Sequence, residues 1–348
     1  MGVPIAFGLG TIGLGLMIFG DISPLMIPQT FYSVADNFIL LAVPMTLVVC
    51  KQLNVSPIPF ILSQVFASNI GGAATLVGDP PNIIIASRAN LSFNDFLIHM
   101  APWVIVVMIV ITPMLVFMFR KELVNSSADR ARIDKLDENS YLKDKVLLKK
   151  SLFVLGAVMI AFVLHTALHL EPSIVAMLGA GVLVGISRLK PKDYAMDVEW
   201  ATLVFFAGLF IMVGALVKTG ALGEFATFLK DQVGDQASLA AMVLLIVSAI
   251  LSGIIDNIPY VASMSPVVTE LSSGISAQYG DVLWWALAFG ADFGGNATII
   301  GASANVVAIG LAHKAGIKIS FWQFAKYGVP VTFVSVAIVV PYILIRYF

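Results

Sequence analysis

The sequence predicts an all-α polytopic membrane protein built from two related halves, each with an interrupted transmembrane helix. Of its 348 residues, 59% are hydrophobic and 12% carry a charge, whereas soluble domains have about 25% charged residues. A larger core cannot absorb this difference, because a larger globule still needs a polar surface. Lipid is therefore the expected surrounding. The net charge of −1 indicates no nucleic-acid partner, and one cysteine cannot form an internal disulfide.

Uncharged apolar stretches recur along the chain, with lengths near the roughly 20 residues that cross the hydrocarbon core of a bilayer. They predict membrane-spanning helices at residues 96–119, 151–170, 172–187, 200–217, 236–255 and 327–345. Residues 1–20 form another such stretch. We interpret it as a retained helix, because it lacks the basic segment with which a signal peptide begins.

One strongly polar segment, residues 120–150, divides the chain near its middle. It holds nine of the 20 basic residues, and an excess of Lys and Arg is typical of cytoplasmic loops. We therefore expect three parts: a first transmembrane repeat at 1–119, a cytoplasmic charged linker at 120–150 and a second transmembrane repeat at 151–348. In a prokaryote the membrane is then the inner (plasma) membrane.

Two segments of the chain repeat each other. Residues 68–86 read SNIGGAATLVGDPPNIIIA, and residues 291–309 read ADFGGNATIIGASANVVAI. At one offset of 223 residues, six positions are identical: Gly71, Gly72, Ala74, Thr75, Gly78 and Asn82 coincide with Gly294, Gly295, Ala297, Thr298, Gly301 and Asn305. The pair Asp36-Asn37 precedes the first segment much as Asp256-Asn257 precedes the second. This pattern indicates an internal duplication.

The repeated segments interrupt apolar runs with glycine, proline and asparagine. In a helix interior Pro costs about 3 kcal/mol and Gly about 1 kcal/mol, and non-helical backbone survives in a bilayer only where protein or a water-filled cavity covers it. Paired interruptions of this kind point to the binding site of a secondary transporter. The candidate substrate- or ion-binding residues are Asp36, Asn37, Asn69, Gly71, Gly72, Thr75, Asp79, Asn82, Asp256, Asn257, Asp292, Gly294, Gly295, Asn296, Thr298 and Asn305.

The residue types at these positions favour a cation. Na⁺ prefers oxygen ligands, which freed carbonyls, amides and hydroxyls supply. We predict sodium sites at Asn69, Thr75 and Asn82 in the first half, and at Asp256, Asn257, Asp292, Thr298 and Asn305 in the second. An ionised Asp at mid-bilayer costs at least about 2.5–3.5 kcal/mol, so it normally faces a cavity or a partner. Such a carboxylate can exchange a proton for a cation, which is the minimum machinery of an antiporter.

Structural explanations stand beside these functional ones. Paired glycines serve helix packing in many membrane proteins, and Asp79 could simply cap the helix that starts at Pro80. No catalytic residue and no organic cofactor is predicted, only Na⁺ or H⁺ as the coupling ion. The sequence contains no Walker A motif, dinucleotide-binding glycine motif or nucleophile elbow, so we expect neither an enzyme nor a pump energised by ATP within this chain.

From about residue 43 onward, the chain resembles the arsenite-efflux and sodium–proton antiporter family of the ion-transporter superfamily, which also includes the melanosomal P protein. The resemblance rests on the two repeated segments and on KQLNVSPIPFILSQVFA (51–67) and IIDNIPYVASMSPVV (254–268). It implies inverted repeats with two re-entrant hairpins and two unwound helices, 71–82 and 294–305, around a midplane site. Asp256-Asn257 would form a hairpin tip. An elevator-like alternating-access motion follows from the same resemblance, and a homodimer is compatible with it.

The beginning of the chain departs from this pattern. Residues 3–45 resemble the start of the large membrane subunit of tripartite (TRAP) carboxylate transporters, and only 35 residues precede Asp36. Three predicted spans precede Asp256 in the second half, so the first repeat looks about two helices short. The leading hypothesis is Na⁺/H⁺-type antiport or efflux of a small oxyanion such as arsenite. The alternatives are a Na⁺-coupled carboxylate transporter, and a transport-incompetent subunit or chimeric scaffold that needs a partner.

Overall fold

The structure, a computed structural model, describes residues 38–53, 55–122, 145–168, 170–187, 236–273 and 277–348, with isolated positions between 208 and 227. These residues contain twelve α-helices and no β-strand. In chain order the helices are α1 (Phe38–Leu53), α2 (Ile58–Gly72), α3 (Pro80–Ala89), α4 (Phe93–His99), α5 (Ala101–Phe119), α6 (Lys145–Leu164), α7 (Pro172–Ser187), α8 (Ala237–Ile254), α9 (Asn257–Ser273), α10 (Ala277–Gly294), α11 (Ser303–Lys314) and α12 (Phe321–Tyr347).

Four helices are long and apolar enough to cross a membrane, namely α5, α8, α12 and residues Val146–Leu164 of α6. α7 and part of α1 are shorter apolar helices. The predictions of helices at 172–187 and 236–255 are confirmed almost to the residue. Residues 1–20 and most of 200–217 lie outside the described residues.

Three other predicted spans have different boundaries. The span predicted at 327–345 lies within the longer helix α12. The span predicted at 96–119 is divided between α4 and α5, and Pro102 lies in the first turn of α5, where its missing N–H group is harmless. α4 begins with a capping box, in which Ser92 and Asp95 each accept a hydrogen bond from the other's backbone N–H. The helix predicted at 151–170 begins and ends six residues earlier, because the lysine-rich end of the linker already forms its first turn.

The helices α6 and α7 pack together as one unit. Gly179 of α7 lies against Val158 of α6, where any side chain would collide. Lys150 Nζ also donates a hydrogen bond to the Ile186 carbonyl at 2.7 Å. The other ten helices belong to a second unit, which contains every candidate site residue that the structure describes.

The second unit depends on very close packing of α8 against α10. A Cβ atom on Gly294 would lie only 2.5 Å from the Ala249 carbonyl oxygen, so glycine lets the two backbones meet. Nearby, Ser252 Oγ of α8 donates a hydrogen bond to the Ala291 carbonyl at 2.6 Å. This contact fixes the end of α10, which is where the second interruption begins.

Two of the helices are interrupted where the sequence predicts. α2 ends at Gly72 and α3 begins at Pro80. α10 ends at Gly294, and α11 begins at Ser303 after a 3₁₀ turn, Ile299–Gly301. The repeat in the sequence is therefore also a repeat of local structure. The opposite orientation of the halves and the re-entrant hairpins stay predictions.

The close contact at Gly294 gives the first testable prediction. Gly294→Ala should lower the free energy of unfolding by about 1–3 kcal/mol, because the added methyl group must push α8 and α10 apart. Gly310→Ala is the matched control, since a Cβ there meets nothing within 4 Å and Ala favours a helix interior. Thermal unfolding of the detergent-solubilised protein measures both. Equal unfolding temperatures for the two variants would contradict the close packing of α8 against α10 at Gly294.

Candidate functional site

Each interruption is closed by an asparagine that follows it. Asn82 Nδ2 donates to the Gly72 carbonyl at 3.3 Å and to the Thr75 carbonyl at 3.1 Å. Asn305, at the offset of 223 residues, makes the equivalent bonds to the Gly295 and Thr298 carbonyls at 2.7 and 2.8 Å. Both asparagines are fully buried. These amides replace helical hydrogen bonds that the interruptions remove, so buried carbonyls do not stay unpaired.

Glycines let each interruption fold tightly on itself. A Cβ on Gly72 would lie 2.7 Å from the Gly78 carbonyl oxygen, and a Cβ on Gly301 would lie 2.8 Å from the Gly295 carbonyl oxygen. The motif glycines at these positions are therefore required by close backbone approach. Gly71 differs from them, because it is exposed and a Cβ there would meet nothing within 4 Å.

One buried side chain joins the two interruptions. Asn69, near the end of α2, donates from Nδ2 to Asn296 Oδ1 at 3.0 Å and to Asn305 Oδ1 at 2.9 Å. Both acceptors belong to the second repeated segment, 227 and 236 residues further along the chain. The hydrogen bonds of Asn69 therefore hold the two broken helices together.

Three of the predicted acids come together beside the interruptions. Asp79 is positioned as the N-cap of α3 but makes no capping hydrogen bond; its Oδ2 instead accepts from Asn257 Nδ2 at 3.1 Å. Asp256 does cap, because its Oδ1 accepts from the Ile258 N–H at 3.0 Å. Asp79 lies within electrostatic reach of both Asp256 and Asp292. The capping interpretation thus fits Asp256 and does not fit Asp79.

Asp292 is the most deeply buried of these acids, with none of its surface exposed. It lies beside the amide of Asn82, whose N–H groups point to the Gly72 and Thr75 carbonyls. Among the described residues neither oxygen of the Asp292 carboxylate has a hydrogen-bond partner, and Asn82 Oδ1 and Asn257 Oδ1 have none either. Buried acceptors without donors are costly, so each calls for an explanation.

The remaining candidates have mixed placements. Thr298 Oγ1 donates to the Gly253 carbonyl at 2.6 Å, which ties the second interruption to α8. Thr75 contributes its carbonyl to Asn82, as described above. Asp36 and Asn37 lie outside the described residues. Within the described ranges no group of three or more His, Cys, Asp and Glu side chains is arranged to hold a metal ion, so an ion here would also need amide or carbonyl oxygens.

Sequence reasoning missed two glycines that shape this region. Gly253 accepts the Thr298 hydrogen bond, and a Cβ on it would lie 2.8 Å from the Ala297 Cβ. Gly328 of α12 lies against the Asn296 carbonyl, where a Cβ would collide. Neither belongs to the repeated motif, although a glycine inside an apolar helix is a signal of close backbone approach.

The matching family and several of the relatives that the chain resembles are described as transporters. Residues 3–290 match the model of a family described as citrate transporter. An uncharacterised transporter of Mycobacterium tuberculosis is 53% identical over 312 residues, which cover 89% of this chain and 72% of that protein. The 46 kDa membrane protein of Mycobacterium leprae is 52% identical over 310 residues, with the same coverage. The human P protein is 32% identical, over 88% of this chain and 46% of that protein.

These similarities bear on the resemblance drawn from the sequence. The P protein was expected among the relatives, and the match to it confirms that expectation. The family match starts at residue 3, so it includes the segment 3–45 that resembles a different transporter subunit. Both parts of the chain therefore fall within one continuous family match.

The bridge formed by Asn69 gives a prediction about stability. Asn69→Ala should lower the free energy of unfolding by about 1–3 kcal/mol for each acceptor left unpaired, Asn296 Oδ1 and Asn305 Oδ1. The exposed Ser303→Ala nearby is the control and should change little. The measurement is thermal unfolding in detergent, together with protease protection of the interruptions. An unchanged midpoint for Asn69→Ala would show that the bridge contributes nothing.

Proposed function

The chain belongs to the citrate transporter family, so it is a multi-pass membrane transporter and not an enzyme, and we propose that it exchanges Na⁺ for protons. The exchange takes place at the two interruptions. In this proposal the acids beside the interruptions bind either a cation or a proton, and the coupling ion is Na⁺ or H⁺.

The observation that carries the proposal is the local excess of negative charge. Asp79 lies within electrostatic reach of both Asp256 and Asp292, and neither repeated segment contains a Lys or Arg. No Lys or Arg pairs with these acids among the residues that the structure describes. A region of carboxylates, amides and carbonyls attracts a cation, and it repels an anion that carries several charges.

The arrangement of hydrogen bonds supports alternating access. Asn257 at the start of α9 bonds to Asp79 at the start of α3, while Asn69 binds the second interruption. Asn257 and Asn69 thus each connect two segments, and replacing a cation by a proton at the nearby acids changes the charge between these segments. We further propose that the halves are inverted repeats with re-entrant hairpins, that the motion is elevator-like and that the protein works as a homodimer.

The family description favours a second candidate, transport of a carboxylate such as citrate. With no Lys or Arg in the repeated segments, such an anion would need co-transported cations to offset the charge of the aspartates. Efflux of a small oxyanion such as arsenite is a related candidate. The protonated form of arsenite is uncharged, so the solute needs no Lys or Arg at the site. Transport assays on the same reconstituted protein distinguish cation exchange, carboxylate transport and oxyanion efflux.

The test is ion exchange by the purified full chain in proteoliposomes that contain a pH-sensitive dye. An inward Na⁺ gradient should drive proton efflux, and Asp79→Asn or Asp256→Asn should reduce the rate at least about tenfold, or about 1.4 kcal/mol in the barrier. Asp281→Asn, an exposed acid of α10 away from the interruptions, should leave it unchanged.

Other outcomes identify the alternatives. Uptake of radiolabelled citrate without Na⁺-driven proton movement would replace cation exchange with carboxylate transport, and arsenite movement alone would establish oxyanion efflux. Activity that appears only with a co-expressed second protein would make the chain a subunit. Full activity in both aspartate variants would remove these carboxylates from the mechanism.

The charged linker gives a prediction about orientation in the bacterial inner membrane. The chain has one cysteine, Cys50, which is buried, so a single new cysteine can be labelled selectively. Ser126→Cys in the linker should resist a membrane-impermeant maleimide in intact cells and react once the cells are opened, because the basic linker is cytoplasmic. Labelling in intact cells would place the linker outside.

A further inference from the structure

We propose that His99 is a pH-sensitive switch at one end of the second unit. Its neutral imidazole joins the end of α12 to α10 and to the junction of α4 with α5, and protonation releases the end of α12. The proposal goes beyond ion exchange, because it describes how the fold responds to pH and does not depend on which solute is transported.

The His99 ring contacts aromatic side chains of two other helices. It stacks on Trp285 of α10, with ring centroids 4.9 Å apart and an angle of 10° between the ring planes. The hydroxyl of Tyr347, near the end of α12, lies 2.5 Å from His99 Nδ1 and forms a short hydrogen bond with it. One imidazole therefore joins α4, α10 and α12.

The backbone of His99 is bound by the same end of α12. The Tyr342 hydroxyl donates to the His99 carbonyl at 2.5 Å, and the Tyr342 ring stacks on Trp103 of α5 with centroids 4.6 Å apart. Because α4 ends at His99, this carbonyl is among those that the end of a helix leaves without an intrahelical partner. Two tyrosine hydroxyls of α12 thus bind one residue, Tyr342 its backbone and Tyr347 its side chain.

A positive charge already lies beside these tyrosines. The guanidinium carbon of Arg346 is 5.8 Å from the centroid of the Tyr342 ring and 6.0 Å from that of the Tyr347 ring. A second cation at His99 would lie among the same rings, and like charges repel. Burial acts in the same direction, because it removes water that the charged imidazole needs. Burial and Arg346 together lower the pKa of His99 below its ordinary value.

Two acids oppose this effect without cancelling it. Asp95 and Asp281 lie within electrostatic reach of His99 and favour its charged form. Asp95 is engaged in the capping box of α4, where its Oδ2 accepts from the N–H and the hydroxyl of Ser92, both at 2.7 Å. Asp281 is exposed, so solvent screens its charge. The neutral imidazole is therefore the form that fits this end of the fold.

The direction of the response follows from the lowered pKa. A released imidazole, surrounded by water, binds a proton at its ordinary pKa, whereas the joined imidazole binds one only at lower pH. The joined form therefore keeps its full stability above the ordinary pKa and loses stability as the pH falls below it. Protons reach this end of the fold, because Asp281 and Arg346 are exposed and His99 precedes the span Ala101–Phe119.

The helices that meet at His99 lead to both interruptions. α3, which restarts after the first interruption, ends at Ala89, and α4 begins at Phe93 after one short turn. Trp285 belongs to α10, whose end at Gly294 begins the second interruption. Release of α12 from His99 therefore changes the support of the two segments that carry the candidate site.

The experiment follows the mobility of the end of α12 in the purified full chain in detergent. Ile345 is 85% exposed, so Ile345→Cys can carry a nitroxide spin label outside the aromatic contacts, and the native Cys50 is buried. Between about pH 8 and about pH 5 the label should become more mobile in one titration step. The midpoint should lie below the ordinary pKa of histidine, about 6.5.

Further substitutions in the labelled protein assign the step to His99. His99→Gln keeps a neutral polar side chain and should abolish the step. His313→Gln is the matched control, because it removes a histidine from the last turn of another helix, α11, and should leave the step unchanged. Arg346→Gln removes the repelling charge and should shift the midpoint to higher pH, which a purely structural role of His99 would not produce.

Three results would overturn the proposal. The first is a label whose mobility does not change with pH, and the second is an undiminished step in His99→Gln. The third is a label that becomes less mobile on acidification, which would mean that the charged imidazole binds the aromatic rings more tightly. If His99→Gln does not fold, a midpoint that stays or falls in Arg346→Gln overturns the proposal instead. None of these measurements depends on transport, so the proposed function stands or falls separately.

Discussion

Two asparagine side chains hold the interruptions in shape, and the rest of the site depends on them. A helix that stops inside a membrane protein leaves carbonyl groups that neither helix nor lipid can satisfy. Asn82 and Asn305 satisfy two carbonyls each through a single side-chain amide. Because the amide is anchored on the helix that follows the break, it also fixes where that helix restarts.

The close packing of α8 against α10 performs a second task, which is to position the second interruption. Gly294 allows the backbones to meet, and Ser252 and Thr298 tie the two sides with short hydrogen bonds to the Ala291 and Gly253 carbonyls. All of these contacts involve small residues and backbone atoms. In a lipid environment, where apolar side chains gain little by leaving the solvent, such close contacts provide much of the association energy.

The two halves differ in the side chains that lie beside the closing asparagines. The repeated motif supplies the same closing amide twice, but an amide at 69 and a carboxylate at 292 face these amides from the opposite half. One meeting point is therefore neutral, and the two hydrogen bonds of Asn69 make it a structural bridge. At the other, the buried Asp292 carboxyl group lies beside the Asn82 amide.

The sequence by itself determined the membrane class, the duplication and the places where the helices break, because low charge, a shared spacing and Gly and Pro in apolar runs act locally. The restart of α3 at Pro80 is an example. The division of the span at 96–119 was not predicted, since hydropathy averages over the short break between His99 and Ala101. Only the tertiary structure decided which candidates meet. The sequence prediction grouped Asn69 with Asn82 because the two residues are close in the chain. In the structure Asn69 donates a hydrogen bond to Asn305, 236 residues away, because the two broken helices lie side by side.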